Sequence, residues 1–215
     1  FADSLPARAT GQITLDTPIS RLTAHSTTAG AIQIDEQDAI QLAHLTTAEG
    51  PISVTAHQIQ VESIDAGNPD SVTLTSATTI TDDGHSTTLI QAGNLIATAP
   101  GSITLDTQVE RVTAHSTTDG FIQIDETNDV TLENLTTANG RIAVTSGGAM
   151  TVTLIRSETD TDDNDIDLTT TAGAMSVESI EAGSMGDVTL ISDDQIQAVP
   201  GDSVNLVADQ LDATA

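Results

Sequence analysis

The chain has no cysteine, tryptophan, tyrosine or lysine, and only two phenylalanines among its 215 residues. Without cysteine, disulfides are excluded as a stabiliser, although large surface proteins also lack it and the compartment is left open. Without aromatics the core has to be aliphatic, and a chain of this length needs many Ile, Leu and Val to build one. Basic residues are nearly missing: 32 acidic side chains face five arginines, for a formal net charge of −27. Such a surface repels nucleic acid and anionic lipid, and suits divalent cations, a salty medium or a secreted protein kept soluble by self-repulsion. The five histidines offset it only at mildly acidic pH. No run approaches the roughly 18 apolar residues of a membrane span. There is no initiator methionine or signal peptide, so from Phe1 the chain reads as a mature product or a piece of something longer.

What is present is repetition. ITLDT at Ile13 returns at Ile103, an offset of 90, and the match continues through TAHSTT at Thr23 and Thr113, IQIDE at Ile32 and Ile122, and LTTA at Leu45 and Leu135. Inside each copy a glycine is followed two residues later by an apolar-x-apolar triplet: Gly11 with Ile13 and Leu15, Gly30 with Ile32 and Ile34, Gly50 with Ile52 and Val54. These starts lie 19 and 20 residues apart, the range of stacked coils in a solenoid. Spacing of two is strand geometry, and no segment keeps helical spacing for three turns. Branched side chains at alternating positions stack from coil to coil, and Gly, Asn and Asp at the corners supply positive φ.

Coil starts fall at Ile13, Ile32, Ile52, Val72, Thr88, Ile103, Ile122, Ile142, Ile166, Val188 and Val204, eleven in all. Parallel strands about 4.8 Å apart would make this a rod of roughly 50 Å, and parallel crossovers are right-handed. The expected fold is therefore all-β: a right-handed parallel β-helix of about eleven coils in two duplicated superunits. A left-handed solenoid is disfavoured because no strict six-residue period appears. Residues 1–11 read as the tail of a preceding coil or an inter-subunit contact segment. Residues 12–101 form the first superunit, and 102–215 the second, with an inserted coil near 150–176. After the insertion VESIDAG at Val61 returns as VESIEAG at Val177, and Leu206–Ala215 matches Ile90–Ala99 at the same offset of 116. The chain stops where another superunit would begin, with neither end capped, so it is expected to continue a longer array or to stack head to tail into a homopolymer.

The beat G-x-[IV]-x-[LIV] followed by [IV]-x-L-x-x-[LIV]-x-A-x-x-G, carried by Gly30 to Ile34 and Leu45 to Gly50 and by their counterparts from Gly120 to Gly140, resembles the repeats of filamentous-haemagglutinin-type exoproteins and giant bacterial adhesins. The resemblance implies a secreted rod at the cell surface that serves adhesion or biofilm matrix, with a surface glycan or a host-cell ligand as partner. The coils near Thr88, Ile166 and Val204 depart from its length.

Four candidate chemistries stand beside structural readings. Asp160, Asp162 and Asn164, in the inserted coil, alternate as in D-x-D-x-[DN] calcium loops, where hard oxygens converge on one cation. Asp165 stands where such a loop has glycine and Thr171 where it has glutamate. A solvated acidic loop is the favoured reading, and weak calcium binding the alternative. Asp82-Asp83-Gly84-His85 invites comparison with β-helix glycoside hydrolases, which need two carboxylates flanking the sugar. A polysaccharide-active lyase or hydrolase is accordingly the second functional reading, but the shortage of basic and aromatic groups favours a turn and a non-enzymatic chain. His25 and His115 are equivalent by duplication and, five coils apart, would lie roughly 24 Å from each other, too far to share a metal. The pairs Thr27/Thr28, Thr46/Thr47, Thr117/Thr118 and Thr136/Thr137 would place one threonine in and one out, which fits hydroxyls satisfying turn backbone better than an ice-binding face.

Overall fold

The computed structural model describes residues 4–16, 18–85, 88–201 and 203–215. Of the expected N-terminal segment 1–11, residues 1–3 lie outside them. The described residues form 21 strands joined into one parallel sheet that winds into a β-solenoid of about ten turns, with no helix. Alternation explains each strand. In Ile122–Glu126, residues 122, 124 and 126 are buried while Gln123 and Asp125 face outward. The inward side chains stack on identical or similar neighbours one rung away, as Ile122 does on Ile103 and Ile142. One aliphatic core runs from Ile13 to Leu190 without interruption, and strand pairing crosses the boundary between the copies, where Ile103 sits on Ile80 and Leu95 under Val112.

The stack corrects the coil starts in one respect. Ile13, Ile32, Ile52 and Val72 do form one column, but the next members are Leu95 and Val112. Ile103, Ile122, Ile142, Ile166 and Val188 belong to a second column, which begins upstream with Ile40, Ile59 and Ile80. Thr88 starts no rung of either column: Leu89 and Ile90, which follow it, pair with Ser63 and Ile64 in a third. The short spacings around Thr88 are thus partial turns, and a full turn there takes 23 residues, from Val72 to Leu95 and from Ile80 to Ile103. A period of two is the same on every face of a solenoid, so local pattern cannot say which face a strand occupies. As a result the second copy is turned around the rod relative to the first, and equivalent residues face different sides.

The inserted stretch is a complete turn. Met150–Ser157 stacks under Met175–Glu181, and Ile142–Ser146 under Ile166–Thr170.

Corners are closed by buried hydroxyls. Thr47, Thr137 and Thr170 each point inward and donate to the carbonyl of the glycine three residues on, at 2.8, 2.7 and 2.9 Å. Those glycines, Gly50, Gly140 and Gly173, have φ of +127°, +136° and +82°, a region costly to any residue with a Cβ. The motif T-x-x-G is therefore a turn whose polar atoms are satisfied from within the core. Where rungs pass closest the backbone leaves no room for a side chain: a Cβ on Gly120 would lie 2.4 Å from the carbonyl carbon of Gly101, whereas one on Gly11 would meet nothing within 4 Å. Gly120→Ala should consequently cost about 1–3 kcal/mol, as overpacking does, while Gly11→Ala stays within about 0.5 kcal/mol. Urea unfolding of the two variants checks this, and equal losses would contradict the close approach.

Candidate functional site

The acidic loop spans the inserted turn, and the structure directs its candidate ligands to different partners. Asp160 accepts from the backbone N–H and hydroxyl of Ser184, both at 2.7 Å, and from the N–H of Met185 at 2.9 Å. The Ser184 hydroxyl and those two amides hold its carboxyl below the ordinary range. Asn164 is fully buried and faces the previous turn, where its Oδ1 accepts from the N–H of Gly140 at 3.0 Å and its amide donates to the carbonyl and hydroxyl of Thr159. Asp162 is exposed. Two of the three candidates thus cap neighbouring corners in opposite directions, and among the described residues no group of three His, Cys, Asp or Glu side chains is arranged to hold a metal ion. Asp70 has the same role in the first copy, accepting from the N–H of Gly50 at 2.8 Å. An Asx residue one turn beyond a T-x-x-G corner was the available signal for this cap.

Asp82, Asp83, Gly84 and His85 form a self-bonded turn. Asp82 accepts from the N–H of Gly84 and Asp83 from that of His85, at 2.9 and 3.0 Å, and Asp83 also binds the Thr88 hydroxyl and the His85 ring. The Thr88 hydroxyl foremost, then the His85 amide and ring, lowers the Asp83 pKa. His25 and His115 each bond the outward threonine of the next rung, Thr46 and Thr136, on different faces: His115 follows Val112 of the first column, whereas His25 lines up through Thr46 and Asp65 with the third. The threonine pairs divide in two ways: Thr46/Thr47 and Thr136/Thr137 lie one out and one in, whereas Thr27, Thr28, Thr117 and Thr118 are all exposed. Arginines are used between rungs: Arg21 bonds Glu62 and Gln41, Arg111 approaches Glu133 at 3.6 Å, Arg156 approaches Glu181 at 3.4 Å, and Arg141 lies over the Phe121 ring at 5.7 Å.

Sequence reasoning missed the buried carboxyls that close IQIDE. Glu36 and Glu126 are 2% and 4% exposed and occupy equivalent places in the two copies. Glu126 accepts from the N–H of Val109 at 2.9 Å, the Thr107 hydroxyl at 2.8 Å and the N–H of Asn128 at 3.1 Å. Glu36 accepts from Ile19 and Asp38 in the same way. They are the solenoid's internal corner braces, and their alternation with Ile32/Ile34 and Ile122/Ile124 was the visible sign that they point inward. Burial outweighs these bonds at Glu126 and raises its pKa. Asp106 is raised too, by burial and then by the charges of Asp82, Asp125 and Asp83. Like charges also stand directly opposite at Asp16/Asp35 and Asp106/Asp125.

A shallow polar cleft of about 280 Å³ lies at the seam between the copies, lined by Asp65, Asn68, Gln91, Gln108, Glu110 and Asn128 among others. It contains no arginine or aromatic side chain. No family model matches the chain, and no curated protein or solved structure is significantly similar to it.

Two outcomes follow from these contacts. Asn164→Ala strips the Gly140 and Thr159 caps and should cost about 1–3 kcal/mol, equally with calcium or chelator; calcium-dependent stability in the parent would return Asp160, Asp162 and Asn164 to a ligand role. For pH, the raised Asp106 and Glu126 contribute stability that is complete below the ordinary carboxyl range and lost as pH rises through their folded values. The lowered Asp83 and Asp160 contribute stability lost as pH falls through theirs, and His115, lowered by burial, loses its share as pH drops below the ordinary imidazole range. Unfolding free energy should therefore rise on acidification from neutral pH toward the ordinary carboxyl range as the buried Asp106 and Glu126 take up protons, offset in part by His115, then fall at lower pH as Asp83 and Asp160 are protonated. Glu126→Gln should flatten that rise in urea titrations; an unchanged slope would show that this carboxyl does not titrate there.

Proposed function

We propose that the chain is a structural, non-enzymatic module: a rigid, acidic β-solenoid that forms the shaft of a secreted fibre or cell-surface adhesin and stacks end to end. The observation that carries this reading is the unbroken column of rungs. Each turn is held to the next by parallel backbone pairing and by buried Ile, Leu and Val, which makes length and stiffness the properties the sequence specifies most strongly. Net charge of −27 keeps rods apart laterally through mutual repulsion, in the absence of cations that could bridge them.

The resemblance to filamentous-haemagglutinin-type repeats supports the same reading through the GxIxI and LTTAxG units, which in this chain build the rungs and their corners. A polysaccharide-active enzyme is favoured less. Its best carboxylates, Asp82 and Asp83, are engaged in a turn, and three of the arginines that could grip an acidic glycan pair with glutamates one or two rungs away. Adhesion to a glycan or cell ligand would be a property of the surface, laid on a scaffold that does no chemistry.

Electron microscopy of the purified chain, with its intact mass and with and without chelator, tests the proposal. Straight rods or filaments of uniform width are expected; compact particles that never elongate at high concentration would overturn end-to-end stacking. Release of reducing or unsaturated ends from acidic polysaccharides would favour the enzyme instead.

A further inference from the structure

Asn139 is the one asparagine of the chain that precedes a glycine. Such a pair is chemically labile, because the residue after the amide has no side chain to keep its backbone nitrogen away from the carboxamide. In the reaction the Gly140 nitrogen gives its proton to solvent base and bonds to Cγ of Asn139, while the Cγ–Nδ2 bond breaks and the nitrogen takes a proton from water and leaves as ammonia. A second water opens the cyclic imide at either carbonyl, giving aspartate or isoaspartate. The sum is amide plus water to carboxylate plus ammonium.

The structure engages both reacting groups elsewhere. The Gly140 N–H donates to Oδ1 of Asn164 at 3.0 Å, and Asn164 is fully buried with its own amide fixed on the carbonyl and hydroxyl of Thr159. The nucleophilic nitrogen thus keeps its proton, directed at the neighbouring turn. The Asn139 carboxamide is held from two rungs: its Nδ2 donates to Oδ1 of Asp119 at 3.1 Å, and its Oδ1 accepts from the hydroxyls of Thr159 at 2.8 Å and Thr161 at 3.3 Å. Closing the imide ring turns Cγ toward the Gly140 nitrogen and gives up these bonds. Asn164, Thr159 and Thr161 all belong to the loop of the inserted turn. The first copy has the same glycine cap, Asp70 on the Gly50 N–H at 2.8 Å, but Glu49 precedes that glycine and offers no amide to lose.

We infer that Asn139–Gly140 is a latent deamidation site, kept unreactive by residues 159–164 of the inserted turn and modified when that loop opens. The product no longer fits its place. A carboxylate at 139 stands opposite the Asp119 carboxylate that accepted the amide N–H, and like charges opposed on paired strands repel. The isoaspartyl form also adds a backbone carbon to a rung whose register is fixed by the strands on either side. Loss of the amide therefore keeps the loop from closing again, and a chain whose inserted turn has once failed carries a permanent chemical mark.

Peptide mapping by mass spectrometry of the 215-residue chain, incubated at mildly alkaline pH, tests this. The folded parent should keep the Asn139 amide, while the same chain unfolded in guanidinium converts it to aspartate and isoaspartate. Asn164→Ala, and the milder Thr159→Val at an exposed position, should each deamidate at Asn139 about tenfold faster than the parent or more, the factor by which loss of a capping hydrogen bond shifts a local opening equilibrium. Asp70→Ala removes the equivalent cap of the first copy and controls for a general loss of stability; it should leave Asn139 at the parent's rate. The inference is overturned if the folded parent reacts as fast as the unfolded chain, if the unfolded chain does not react, or if neither loop variant is faster than the parent. Equal acceleration by Asp70→Ala overturns it too, since global unfolding and not the inserted loop would then control the site.

Discussion

Every rung of this solenoid depends on the rung beside it. A strand of three to five residues with one aliphatic face has too few contacts to hold itself, and here it gains both its hydrogen bonds and its burial from parallel neighbours a single repeat away. Ile122 illustrates the arrangement: it is fully buried, with isoleucines directly on either side. Because the neighbouring side chain in the column is so often the same or one methyl different, the core keeps a constant cross-section. That constancy accounts for the near absence of aromatics, which would force rungs apart.

The corners follow from the same constraint. A chain that must turn at every face while its neighbours lie within van der Waals contact cannot leave backbone groups unpaired, nor accept a Cβ where two backbones touch. Inward threonines at T-x-x-G, Asn164 and Asp70 on the glycine amides, and the buried Glu36 and Glu126 are different answers to that demand. Residues that look like chemistry in the linear sequence, acidic and hydroxylic in regular alternation, are largely consumed in this way. What is left for the surroundings is a long acidic surface with shallow, largely polar clefts.

Much of the architecture was legible because a solenoid writes its period into the chain. The glycine beat and the alternation of Ile and Val identify strands and stacked coils correctly, but not which column each coil start joins. The loop at Asp160, Asp162 and Asn164 was legible only as a pattern of oxygens: no local feature announces that Asp160 reaches forward to Ser184 and Asn164 back to Gly140, since both partners lie more than twenty residues away. The buried glutamates were overlooked for a related reason. Charge suggests solvent, and only the continuation of the inward period by two residues beyond Ile34 and Ile124 indicates otherwise.

The sequence by itself determined the unit: a coil of about 20 residues, its inward and outward positions, and its corners. These are local properties of side-chain alternation and backbone conformation. The tertiary structure alone decided which column each strand joins. Between Val72 and Ile103 the chain makes more than one turn and fewer than two, so the second copy resumes on a different face. A repeat offset measured along the chain carries no angle around the axis; that angle accumulates from corner lengths and is set only when each strand finds the neighbour it can pair with.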